Sequence, residues 1–308
     1  MSTDVAKAIV TMNELTQRFD DAVMAAEPYW PTLCTEVNST HKEETYAWLL
    51  RMRGMREWLG ERVYQDLTAA RYTIANKLWE DSLPVEETDV EDDSVGIYRN
   101  LAEDFGNEAV HHPDELVFDL IQAGATTACY DGQPFFDASH VTQNSGVQSN
   151  KLTATVSDTA AVTALEFRAA YNQGINAMLK FKDNLGRPFL RPRINKGQPD
   201  LICLVPVDMQ DAADTAFNAQ IINNTSNRVV NRPRSVETIS YLSDQLSFYI
   251  LNVGRSVKPF VFQKRRPLRR QVKGIGDYEF KDLKLLADAR YNAGYGLWQF
   301  AVKVTVST

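Results

Sequence analysis

The chain has 308 residues, with 44% hydrophobic and 24% charged side chains, a composition that excludes wholesale disorder and leaves room for one large or two modest folded units. Its formal charge of -7 excludes a dedicated nucleic-acid binder, whose affinity rests on an excess of phosphate-neutralising cations. No apolar run approaches the ~20 residues that cross a bilayer, so no membrane partner is expected. Asp4 and Lys7 stand where a signal peptide would be apolar, so the protein is expected to stay in the cytoplasm that makes it.

Residues 3–25 repeat apolar side chains at three- and four-residue steps, Val5, Ile9, Met12, Leu15, Phe19 and Val23, and predict an amphipathic helix. Pro28 and Pro31 end it and favour an extended path, as in an arm reaching out from a body. From Trp48 to Asp93 the pattern turns to alternation, first Val63, Gln65, Leu67 and then Tyr72, Ile74, Asn76, Leu78. Two such strands make a poorly buried ribbon. The aromatic residues Trp48, Trp58, Tyr64, Tyr72 and Trp79 are therefore expected to rest on something outside it, a neighbouring subunit.

Residues 80–93 hold eight acidic side chains and no basic one. They read either as a solvated loop or as one half of a charge-paired contact made by Glu86, Glu87, Glu91, Asp92 and Asp93. The basic counterpart lies far downstream, where Lys264, Arg265, Arg266, Arg269, Arg270 and Lys273 put six positive charges into ten residues. That cluster could touch phosphates, pair with an acidic surface, or line a solvated strand edge.

Residues 97–124 predict a long helix or a kinked pair, with the break at Pro113 and a cap at Gly124. The stretch CYDGQPFFDASHV reads as a loop or hairpin turning at Asp131-Gly132. A helix follows over 162–181, then a strand DLICLVPV leading into a helix with Met209, Ala212, Ala216 and Phe217 inward, which makes this region α/β. The last third is strand-like. The three cysteines, Cys34, Cys129 and Cys203, are far apart and read as reduced.

Chemistry-bearing sets are sparse. His111, His112, Asp137 and His140 carry metal-ligand side chains, but their spacing matches no metal motif, and adjacent histidines do not share one helix face. Ser139-His140 beside Asp137 lacks the G-x-S-x-G turn of a hydrolase. The chain is expected to be no enzyme and to hold no cofactor. A metal-dependent hydrolase using those four residues stands as the alternative.

Four strings taken together, EDFGNEAVHHPDELVFDLIQAG at 103–124, YDGQPFFDASH at 130–140, KPFVFQKRRP at 258–267 and ARYNAGYGLWQFA at 289–301, resemble the Mu-like bacteriophage major head subunit family. The resemblance spans about residues 45–302, with one departure at Val141, where the family loop continues His-Pro. It implies an α+β fold of the Hong Kong 97 phage type: an N-terminal arm at 1–47, an E-loop at 48–96, a peripheral domain with a spine helix at 97–149, an axial domain at 150–231 and peripheral strands at 232–308.

The function implied is a major capsid protein of a tailed bacteriophage, self-assembling into hexamers and pentamers of an icosahedral head. The implied partners are neighbouring capsomers, a scaffold during assembly, a portal, decoration proteins and, weakly, the packaged double-stranded DNA; the implied location is the virion. Scaffold and protease being separate products in this family, Met1 is expected to begin the mature chain. A minor capsid-associated protein is a further reading, separable by copy number.

Overall fold

The computed structural model describes residues 3–46, 72–92, 95–141, 145–184, 186–190, 200–222, 224–227, 229, 231–274 and 282–308. Helix α1 (Thr3–Ala25) follows the predicted periodicity, and Met12, Leu15 and Phe19 on its apolar stripe are buried. The short α2 (Trp30–Leu33), with Pro31 in its first turn, turns the chain into β1 (Cys34–Asn38). This segment does not reach away from the body. An apolar helix face is stable only when covered, and α1 shares a buried cluster with Ala102 and Phe105 while β1 joins a sheet.

Strands β2 (Glu43–Thr45) and β3 (Thr73–Ala75) pair antiparallel, and the Tyr46 N–H donates to the Tyr72 carbonyl at 2.8 Å. Trp48, Trp58, Tyr64 and the alternation Val63–Leu67 lie outside the described residues. Strand β4 (Lys77–Glu86) and helix α3 (Glu87–Glu91) take up most of the acidic run. That run is therefore not a loop: Val85 and Val90 are buried within it and fix strand and helix to the body.

Helix α4 (Gly96–Ala123) runs 28 residues without a break at Pro113. A proline removes one helical hydrogen bond. Here both flanks are held by tertiary packing, Phe105 in one cluster and Val117, Phe118 and Ile121 in the other, and the helix continues. The predicted cap, Gly124, keeps right-handed helical angles; its missing side chain matters because a Cβ would meet the Phe136 ring at 2.7 Å.

The 130–140 turn forms as expected, with Gly132 at φ 85°. Next come β5 (His140–Val141), β6 (Val147–Gln148), β7 (Lys151–Thr155) and α5 (Ala164–Lys180), whose first turn is closed by a reciprocal Thr163–Glu166 capping box. Strand β8 (Leu201–Val205) leads through a 3-10 turn into α6 (Gln210–Asn218), followed by β9 (Ile221–Ile222), β10 (Thr225–Ser226), β11 (Ser235–Thr238) and β12 (Ser247–Asn252). The chain ends in β13 (Phe260–Lys273), β14 (Asp282–Tyr295) and β15 (Ala301–Ser307).

Two sheets organise these elements. One has the order β1-β13-β14-β4 and the other β11-β8-β12-β15-β7. In the second, every residue of β8 and β12 is buried, as their unbroken apolar runs require. Residues 232–308, expected as peripheral strands alone, are shared between the sheets: β13 and β14 belong to the first, β11, β12 and β15 to the second. Sheet membership here follows hydrogen-bond register between distant segments rather than position in the chain.

Candidate intersubunit surface

The first sheet has unlike faces. Leu283, Leu285, Ala287 and Ala289 of β14 turn inward, in clusters shared with α1 and α4. The alternate positions, with Arg266 opposite Arg290, Arg269 opposite Asp288, and Leu78 and Glu80 opposite Arg290 and Asp288, turn outward. Leu78 is 62% exposed on that face.

Five of the six basic side chains in the cluster find partners inside their own chain. Asp288 bonds the guanidinium of Arg266 and, at 2.6 Å, that of Arg269. Arg270 points to the helix side, where both oxygens of Asp20 on α1 accept from it at 2.6 and 2.7 Å. Lys264 pairs with Glu36 on β1, and Arg265 donates to the Ser39 carbonyl at 3.2 Å. In the acidic run, Glu86 and Asp92 are exposed, and Asp89 accepts from the Tyr98 hydroxyl at 2.6 Å. The side chains of Glu87 and Glu91, and all of Asp93, lie outside the described residues.

The two described aromatic candidates are seated in the chain itself. The Trp79 indole N–H donates to the Tyr291 carbonyl at 3.1 Å, and its ring centroid is 4.4 Å from that of His112. The Tyr72 hydroxyl accepts from the Tyr295 N–H at 2.8 Å, and burial pushes its pKa up to about 12.

The metal-type set does not converge. His111 and His112 diverge from α4: the first bonds Asp114 at 3.2 Å, the second the Tyr291 hydroxyl at 2.8 Å, where burial holds its imidazole below the ordinary range. Asp137 accepts from the Ser139 hydroxyl at 2.6 Å, and His140 is buried elsewhere, between Asp131 and Asn150. Among the described residues the one group with ligand atoms in mutual reach is Cys129, Asp131 and His140. These three satisfy one another by hydrogen bonds, and burial pushes the Cys129 thiol up, which disfavours the thiolate a metal needs.

The motif strings are packed against each other. Phe135 stacks on Tyr295 at 4.7 Å, Tyr130 donates to Gln299 at 3.0 Å, His140 stacks on Trp298 at 4.1 Å, and the Tyr295 hydroxyl donates to the Leu120 carbonyl at 2.8 Å. Sequence reading missed Asn150, which joins this core, Asp114, which anchors α2, and Arg290 on the outward sheet face. Polar residues carry no periodicity that marks such roles.

A family model described as the Mu-like prophage major head subunit gpT matches residues 8–166 and 230–307. The Mu-like prophage FluMu major head subunit of Haemophilus influenzae is 28% identical over 306 residues, covering 98% of this chain and 73% of that protein. The major capsid protein of Escherichia phage Mu is 29% identical over 297 residues, covering 95% and 72%. The procapsid structure of bacteriophage JBD30 aligns with a TM-score of 0.58 at 26% identity, covering 100% of this chain and 77% of that one. The virus-like particle of Pyrococcus furiosus, 11% identical with a TM-score of 0.54 over 95% of this chain and 98% of that one, shares the fold.

Proposed function

The chain belongs to the Mu-like prophage major head subunit family, and from that premise we propose that its copies assemble into the hexamers and pentamers of a tailed-phage head around double-stranded DNA. As a major capsid protein it is a structural subunit, not an enzyme. This replaces the hydrolase reading, whose four residues point to separate partners, and the minor-component reading, since the family is that of the major subunit.

The observation that carries the assembly reading is the family match across segments of both sheets, combined with a sheet that is covered by helices on one face and, among the described residues, by no element on the other. Shell subunits gain from many modest contacts repeated by symmetry, each too weak to hold alone. The outward face of the first sheet, with the exposed Ile97 and the exposed pair Val141 and Val147, offers such contacts. Trp58, Tyr64 and the acidic side chains of 86–93 remain proposed contacts on the same reading. Scaffold, portal and decoration proteins are its expected partners, assembly in the host cytoplasm its expected setting, and contact with DNA weak because the chain is net negative. No helix among the described residues is long and apolar enough to cross a membrane.

Negative-stain electron microscopy of the full chain, expressed with and without its neighbouring phage genes, tests the reading. Shells, tubes or capsomer rings are expected. A chain that stays monomeric in both settings overturns it.

A further inference from the structure

The outward face of the first sheet carries an arginine-lined cavity at one end and an exposed carboxylate, Glu86, at the other. Near the start of β4, Asn76, Leu78, Arg266, Arg269, Asp288 and Arg290 line an open cavity of about 580 Å3. Three guanidiniums there face one carboxylate. Arg266 and Arg269 share Asp288, whereas Arg290 forms no ion pair among the described residues. The Nε of Arg266 and the Oδ1 of Asn76 are buried without a hydrogen-bond partner. Glu80, opposite Asp288 on the same face, does not line this cavity. A cavity with a positive excess, an unpaired guanidinium and an unused N–H donor is built to receive an anion, because the guanidinium fork matches a carboxylate or phosphate.

The far end of β4 presents carboxylates, with Lys284 and Lys273 on the neighbouring strands. Glu86 closes the strand and Asp92 follows α3, both exposed. Eight residue steps separate Leu78 from Glu86 in β4, roughly 26 Å at about 3.3 Å per step. A strand held in a sheet cannot fold back on itself, so a chain cannot bring its own acidic end to its own cavity. A second copy can.

We propose that the cavity of Arg266, Arg269 and Arg290 in one copy receives the carboxylates of Glu86 and Asp92 from the next copy, head to tail. The proposal rests on the capsid reading and adds a direction to it. A contact between unlike patches repeats from copy to copy and closes into a ring or continues as a lattice, which a like-to-like contact does not. It also redistributes the basic cluster. Arg270 and Lys264 serve pairs inside the chain, and Arg290, outside the cluster in sequence, supplies the free charge.

The test is a set of charge reversals in the full chain, read by particle yield and by thermal melting of the unassembled subunit. Arg290→Glu and the neutral Arg290→Gln are expected to melt with the wild type, since Arg290 forms no ion pair or hydrogen bond among the described residues. Particle yield should fall about tenfold or more with Arg290→Glu. Adding Glu86→Arg and Asp92→Arg to that chain should restore particles, because reversed ends then meet across every junction. Wild-type yield from Arg290→Glu, or a loss that the combined reversal leaves unrepaired, overturns the proposal. Normal shells with lowered nucleic-acid content, read by absorbance ratio, would assign the cavity to nucleic acid and overturn it as well. A wild-type chain that forms no particles strikes the capsid reading instead.

Discussion

The Nδ1 of His140 lies 2.6 Å from the Asp131 carboxylate, with the histidine side chain fully buried and that of Asp131 4% exposed. On the other side of the ring, Nε2 faces the Asn150 Oδ1 at 3.2 Å. The orientation of that amide is fixed, because its Nδ2 donates to the carbonyls of Phe135 at 2.8 Å and Ala301 at 3.2 Å. Both ring nitrogens thus face acceptors, and the carboxylate is the nearer of the two. With the ring flat on Trp298, the network joins the turn at 130–140 to the start of β15.

Asp131→Asn removes the carboxylate that holds the buried ring and accepts from Cys129 and Gln133, at an expected loss of about 1–3 kcal/mol in urea denaturation. The acid dependence follows from the same pair. Burial raises the Asp131 pKa, but the hydrogen bond and charge of His140, with the Cys129 and Gln133 donors, bring it below its ordinary 3.8. A depressed carboxyl contributes stability that is present above 3.8 and lost as pH falls through the lower folded value. Wild type should therefore lose more stability than Asp131→Asn in that acid window; parallel profiles would show that the folded carboxyl is not depressed.

Asp114, buried on α4, accepts the backbone N–H groups of Tyr29 at 3.0 Å and Trp30 at 2.6 Å. Asp114→Ala strands those donors, at about 1–3 kcal/mol. Amide exchange at Tyr29 and Trp30 should quicken while the core of β12 stays protected. Unchanged exchange at both amides would count against the anchor.

Gly106 lets α1 and α4 approach closely. A Cβ there would lie 2.6 Å from the Phe19 carbonyl oxygen and 2.9 Å from the Ala22 Cβ, whereas one at Gly96 would meet nothing within 4 Å. Gly106→Ala should lower the melting temperature through an overpacking cost of about 1–3 kcal/mol, in excess of alanine's helix preference. Gly96→Ala, at the open helix start, should leave it unchanged or raise it. Equal melting of the two variants would rule out the close approach.

The sequence by itself determined what is local. Apolar side chains at three- and four-residue steps specify α1 wherever it packs, the unbroken apolar runs specify β8 and β12 as covered strands, and Asp131-Gly132 specifies a turn because glycine accepts φ 85° freely. The family strings were equally legible, being contiguous. What only the tertiary structure decided is where separate stretches meet. Helix α4 passes through Pro113 because packing on both flanks outweighs one missing hydrogen bond, and the strands of 232–308 divide between two sheets by register. Arg270 finds Asp20 from 250 positions away, while strand pairing sets Arg290 beside Arg266 with no ion pair among the described residues. Periodicity records which face a residue takes on its own helix or strand; the partner on the other side is fixed only when the chain closes on itself.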